Sequence, residues 1–202
     1  MVSKRYDPST DPVFQRPVIE VDEWRERFLP DGTRLPFRYM RGGFAGTDVR
    51  FKMLFPEKDN CRKRFHQCLT PASETESEAV GAEAAMALRS GACFVTSSER
   101  EDMLWKASAA VAELSRRKAR EIYGPDRFYG YVYGGEGSAY RALACIENAS
   151  AWDGAAMVLP GPQTILYDAV NKFQLALSEE TEGLPQALTI LADWVERGVQ
   201  PR

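Results

Sequence analysis

Histidine is almost missing from this chain: His66 stands alone among 202 residues. Any chemistry that needs an imidazole base must use that one ring. The four cysteines (Cys61, Cys68, Cys93 and Cys145) lack any CxxC spacing, which sets aside a zinc site and a disulfide framework. Cys93 and Cys145 are read as small buried hydrophobes in a strand and a helix. No apolar stretch is long enough to span a bilayer. The opening run MVSKRYDPSTDP carries charge but no apolar segment behind it, so no secretory leader is read and a cytoplasmic location is expected. An excess of one charge is missing too. The 26 basic and 29 acidic residues are interspersed, giving a net charge of -3, so neither nucleic acid nor a membrane surface is expected as a partner. The densest basic cluster, Arg116-Arg117-Lys118 with Arg120, is assigned to the solvated face of a helix. Phosphate-binding loops are also absent: Gly134-Gly135-Glu136-Gly137-Ser138 has no following Gly-Lys-Ser/Thr and lacks the third-glycine spacing of a dinucleotide fingerprint. No cofactor is expected.

What is present is an ordinary globular composition, 44% hydrophobic and 27% charged, in a chain long enough for one domain with a sizeable core. Residues 1–34 are polar and proline-punctuated. They read as an arm with one helical patch near Val21 to Phe28, anchored by Trp24 and Phe28. Residues 35–202 read as a single domain. Leu35 to Arg41 and Val49 to Phe55 form a predicted hairpin around Gly42 to Gly46. A strand over Lys63 to Leu69, a helix over Glu78 to Arg89 and a strand over Ala92 to Thr96 follow. A long helix capped by Ser97 or Ser98 comes next, with Met103, Ala107, Val111 and Leu114 as its sheet-facing stripe. Alternation of strands and helices from His66 onward predicts a doubly wound, mostly parallel sheet. After Pro162 the pattern changes: Gln163 to Leu177 and Leu184 to Arg197 both read as helices.

The organising stretch is Arg127 to Gly154. Phe128 to Tyr133 reads as a buried strand, Gly134 to Ser138 as a glycine-packed turn, and Ala139 to Asn148 as a helix; another strand runs from Ala155 to Leu159. A strand entering a helix through Gly-Gly-x-Gly-small demands a turn so tight that Cβ atoms clash on either side of its centre. That geometry is a nucleophile elbow, which lifts one side chain above the sheet and aims backbone N–H groups at it. Centred on Glu136, the flanking positions are Gly134 and Ser138, which are small. Centred on Ser138, they are Glu136 and Tyr140, which are not. Ser138 is thus the small flanking residue, with a nucleophilic role for it as the alternative. Glu136 is a chemically possible nucleophile, since carboxylates serve that role elsewhere, but it is one methylene longer than aspartate. A degenerate elbow that keeps the fold without the chemistry is the competing reading.

The run YGGEGSAYRALACIEN followed by AWDGA resembles a group of α/β-hydrolase-fold proteins related to tannases and feruloyl esterases, whose elbow reads roughly G-G-S-G-G-G-Y. YMRGGFAGTDVRFKMLFPE and LADWVERGVQP resemble that group as well. The resemblance implies an α/β-hydrolase-type sheet and ancestral carboxylic ester hydrolysis on a small-molecule ester or similar ligand. It also implies a serine where this chain has Glu136, and an oxyanion hole using Gly134, Gly135, Gly137 and the strand end at His66-Gln67. The family's late strands, which deliver a catalytic acid and then a histidine, are not recognised here. The chain therefore reads as shortened after the elbow unit. His66 is the remaining candidate base, with a polar site-lining histidine as the alternative. Asp153 and Asp168 are the candidate acids, although Asp153-Gly154 is more typical of a turn. Two readings stand: an impaired ester hydrolase, or a non-catalytic binding protein. An uncovered sheet edge would make the second a homodimer.

Overall fold

The computed structural model describes residues 5–69, 81–98, 104–134, 138–158, 165–169, 176–178 and 184–199. Among these residues nine strands form one sheet in the order β1-β2-β3-β5-β4-β6-β7-β8-β9. They are β1 (Pro17–Phe28), β2 (Arg34–Phe44), β3 (Arg50–Pro56), β4 (Arg64–Cys68), β5 (Cys93–Ser97), β6 (Tyr129–Gly134), β7 (Gly154–Val158), β8 (Ile165–Ala169) and β9 (Ala176–Ser178). Pairing is parallel through the centre, β5-β4-β6-β7, and antiparallel on both flanks. This is a doubly wound sheet of α/β-hydrolase type.

Among the described residues, four α-helices accompany it: α1 (Ala82–Arg89), α2 (Leu104–Tyr123), α3 (Ala139–Asn148) and α4 (Leu184–Ala192). From β4 the chain crosses to β5 on one side through α1, then returns past β4 to β6 through α2 and continues to β7 through α3. Parallel crossovers are right-handed, so reversing the direction of travel moves the helix to the other face. The buried residues divide accordingly. Phe65, Val95, Val132 and Met157 pack with Ala107, Val111 and Leu114 of α2 and with Ala142, Cys145 and Ile146 of α3. Tyr39, Leu54, Phe94, Tyr131 and Tyr133 pack with Ala84, Ala87 and Leu88 of α1 and with Leu188, Leu191 and Trp194 at the α4 end. Alanines recur on the buried helix faces (Ala84, Ala87, Ala107 and Ala142), which lets the helices approach the sheet closely. No helix among the described residues is long and apolar enough to cross a membrane.

Three expectations change. Residues 21–28 are not helical but lie in β1, paired antiparallel with β2 from Pro17↔Phe44 to Phe28↔Arg34. Trp24 and Phe28 do not anchor it, being 60% and 62% exposed. Residues 165–169 and 176–178 are strands rather than parts of one helix, because Ile165-Leu166-Tyr167 finds an antiparallel partner in β7. Finally, Arg116 leaves the solvated face: its guanidinium donates to the carbonyls of Phe128 and Ala151 at 3.2 and 2.8 Å, while Arg117 and Arg120 are exposed.

Candidate functional site

In an open α/β sheet the ligand crevice lies beyond the carboxyl ends of the strands, where the winding direction reverses. Here that point is the end of β4, between β5 and β6. Leu69 extends the β4–β6 ladder, its N–H donating to the Tyr133 carbonyl at 3.0 Å. Beside it, Gly134 ends β6 against the start of α3. A Cβ on Gly134 would lie 2.4 Å from the Ser138 carbonyl oxygen and 2.8 Å from its Oγ. Ser138 is buried, forms the N-cap of α3, and its carbonyl accepts from the N–H groups of Arg141 and Ala142. Strand end and helix start therefore press together across a gap that admits only small residues, with the Ser138 hydroxyl turned toward β6. Gly135, Glu136 and Gly137 lie outside the described residues.

The other two expected site residues are elsewhere. β4 runs through Cys68, so His66 and Gln67 are inside the strand and not at its end. Successive side chains of a strand point to opposite faces, and these two separate accordingly. Gln67 is fully buried between the sheet and α2: its Nε2 donates to the Ser108 carbonyl at 3.0 Å and its Oε1 accepts from Trp152 Nε1 at 2.9 Å. Its amide ties β4, α2 and the segment before β7 together, and both ends of it are occupied within the core. That side chain is therefore held in the core and is not turned toward the strand ends.

His66 faces the other way, toward α1 and α4. It is level with Tyr131 in the ladder, three residues before Gly134, or about 10 Å along the strand. Its ring meets Tyr131 edge-on at 6.0 Å. Burial, followed by the nearby Arg64 guanidinium, pulls its pKa down to about 3, so the imidazole is neutral. His66 and Ser138 are not brought together. The ring instead forms part of the floor of a cleft of about 630 Å³ between α1 and α4, lined also by Arg27, Leu29, Arg64, Met86, Arg89 and Leu188. Arg64 is held by a bidentate ion pair with Glu196 at 2.6 and 2.8 Å, and Glu196 also accepts from the Tyr131 hydroxyl at 2.7 Å.

Asp153 is a clamp as well as a turn residue. Its Oδ2 accepts from the Gly130 N–H at 2.8 Å, its Oδ1 from Arg127 at 2.8 Å, and Arg116 lies 3.6 Å away. These contacts fix the entry of β7 beside β6 at the amino ends of the strands, far from the elbow. For Asp168, only its backbone position in β8, opposite Ala155, is defined.

The thiols behave unequally. Cys93 and Cys145 are buried, as expected, and burial raises both pKa values. Cys61 is half-buried beside Cys93, whose thiol hydrogen-bonds to it and, with help from the Lys63 backbone, draws its pKa down to about 7 against the opposing effect of burial. Thiolate is the reactive form. In the folded protein, iodoacetamide should therefore modify Cys61 first, at a rate that rises about tenfold from pH 6 to pH 8 and then levels off. Peptide mapping after brief alkylation checks this; first labelling at Cys68, Cys93 or Cys145 would contradict it.

No family model matches the chain, and no curated protein matches it. Among solved structures it is similar to tannin acyl hydrolase from Aspergillus niger, at 14% identity and a TM-score of 0.51, covering 77% of this chain and 35% of that one. An esterase from Aspergillus oryzae matches at 12% identity and TM-score 0.48, covering 74% of this chain and 35% of that one. Acetyl xylan esterase 1 from Thermoanaerobacterium sp. matches at 13% identity and TM-score 0.41, covering 67% and 50%. The chain thus spans 35% of the length of the first two. At such identity the likeness to the tannin acyl hydrolase is one of fold alone.

Proposed function

We propose that this chain is an α/β-hydrolase-like protein of carboxylic ester hydrolase descent whose own hydrolytic chemistry is impaired. The observation that supports this best is the position of His66. It is the only histidine in the chain, and it floors a cleft on the α1/α4 face, whereas the elbow leads into α3 on the opposite face. A base must lie within hydrogen-bond reach of the proton it takes. A neutral imidazole some three residues back along the strand, on the opposite face from α3, does not meet that condition for Ser138. The close approach of Gly134 to Ser138 supports an elbow between them, and in the sequence Glu136 takes the place of the serine that the resemblance implies. Small-molecule esters are the ligand class this descent implies.

Purified protein should hydrolyse a short-chain aryl ester no faster than buffer, and Ser138→Ala and His66→Ala should change nothing. Glu136→Ser is expected to restore weak turnover, because the backbone donors of the turn would then face a nucleophile of the length they suit. Parent turnover that vanishes in Ser138→Ala would overturn the reading and make Ser138 the nucleophile.

A second reading, a non-catalytic binding protein, is favoured by the open cleft and by the outer edge of the sheet. Along β1, Val18, Trp24 and Phe28 are exposed among Glu20, Asp22 and Glu26. A second copy pairing along that edge would cover them.

A further inference from the structure

We infer that the cleft between α1 and α4 is a binding site for a small organic carboxylate with an apolar body, separate from the elbow. The cleft's volume, about 630 Å³, falls in the range of small-molecule pockets, which combine apolar walls with a few fixed polar groups. Its walls are apolar where they are deepest: Leu29, Ala85 and Leu188 are all buried. Its polar groups share one sense. Arg27, Arg64 and Arg89 line it, and no carboxylate belongs to the described lining.

Two acids beside the cleft's arginines are already engaged. Glu196 is held by Arg64 and Tyr131, and Asp31 lies 3.5 Å from Arg89 and accepts from the Thr33 N–H. A guanidinium carries five N–H donors, and the contacts described use two on Arg64, one on Arg89 and one on Arg27, the last to the Gly81 carbonyl. Among the described residues, guanidinium donors therefore remain around a cleft that no carboxylate lines.

At the floor, His66 is 5% exposed and its Nδ1 has no hydrogen-bond partner among the described residues. A buried polar atom without a partner is rare, and it costs the fold free energy that a ligand can recover. The neutral ring has one N–H to donate and one lone pair. Rotation about its Cβ–Cγ bond exchanges the ring edges facing the cleft. A carboxylate meets both requirements: it accepts from the imidazole and from the arginines while its chain lies along the apolar walls.

The test uses the parent protein at pH 7 and the ring signal of its single histidine in a proton–carbon NMR spectrum. Octanoate should displace that signal saturably. Acetate, which lacks the body, and 1-octanol, which lacks the charge, should leave it in place over the same concentrations. Arg89→Gln, at an exposed position, should weaken octanoate binding about tenfold, and Leu188→Met, which keeps the fold's volume, should leave the site in being. No displacement by octanoate at millimolar concentration would overturn the inference, as would equal displacement by 1-octanol or undiminished binding by Arg89→Gln. None of these outcomes bears on ester turnover at the elbow.

Discussion

Gly134→Ala is expected to destabilise the fold by about 3 kcal/mol or more. The reason is contact, not backbone strain, because Gly134 is not among the glycines with positive φ. The added Cβ would sit 2.4 Å from the Ser138 carbonyl oxygen and 2.6 Å from its carbonyl carbon. Those are backbone atoms of the residue that caps α3, and the carbonyl already accepts from Arg141 and Ala142. The helix cannot yield without breaking those bonds, and β6 is paired on both sides with β4 and β7. Gly81→Ala is the control, since a Cβ there meets only the end of the Glu83 side chain, at 3.1 Å. Urea unfolding of both variants beside the parent measures the difference. A Gly134→Ala protein within about 0.5 kcal/mol of the parent, the usual range for an innocuous surface change, would mean that the strand and helix are not pressed together.

The same contact shows what could be read in advance. The strand and helix that flank the glycines were legible because their logic is local: a buried run before the glycines and an amphipathic helix after them. The helix begins at Ala139 and ends at Asn148 as the pattern predicts. Strands β3 to β7 were legible for the same reason, each a short apolar run bounded by turn residues. β1 and β8 were not, because what makes them strands is a distant partner. Val18 to Phe28 carries enough charge to suit an arm, and only its register with β2 explains why it extends. Ile165 to Ala169 matches a helical pattern equally well until β7 stands beside it. His66 and Gln67 show a finer limit. Assigning them to the strand's end made both look like crevice residues, whereas β4 runs on through Cys68 and its alternation sends the two side chains to opposite faces. Arg116 was hidden by its neighbours, since nothing in Arg116-Arg117-Lys118 marks which cation turns inward.

The placement of His66 has a consequence for the stability of the fold in mild acid. Its pKa is drawn from an ordinary value of 6.5 down to about 3, first by burial and then by the Arg64 charge. The unfolded chain therefore takes up a proton below about pH 6.5, and the folded protein does not until about pH 3. Stability rises with pH wherever the unfolded state binds more protons. His66 should thus weaken the fold progressively from pH 6.5 down to pH 3, with no further loss below that. At pH 5 the loss is roughly 2 kcal/mol, taking 1.36 kcal/mol per unit. The other side chain drawn into this window is Cys61, with a pKa of about 7, and its titration is common to the parent and to a variant at the one histidine, so it cancels between them. The carboxyl groups of Glu20, Asp22 and Asp31 are held below their usual range by hydrogen bonds from Arg50, Arg38 and Thr33 respectively, so they act only in stronger acid. His66→Gln removes the titration and keeps a polar side chain over the cleft. Between pH 7 and pH 5 the parent should lose about 2 kcal/mol more than this variant in urea unfolding. Equal losses in the two proteins would mean that His66 is charged, or free to become charged, in the fold. Its ring would then be solvated, not buried at the base of the α1/α4 cleft.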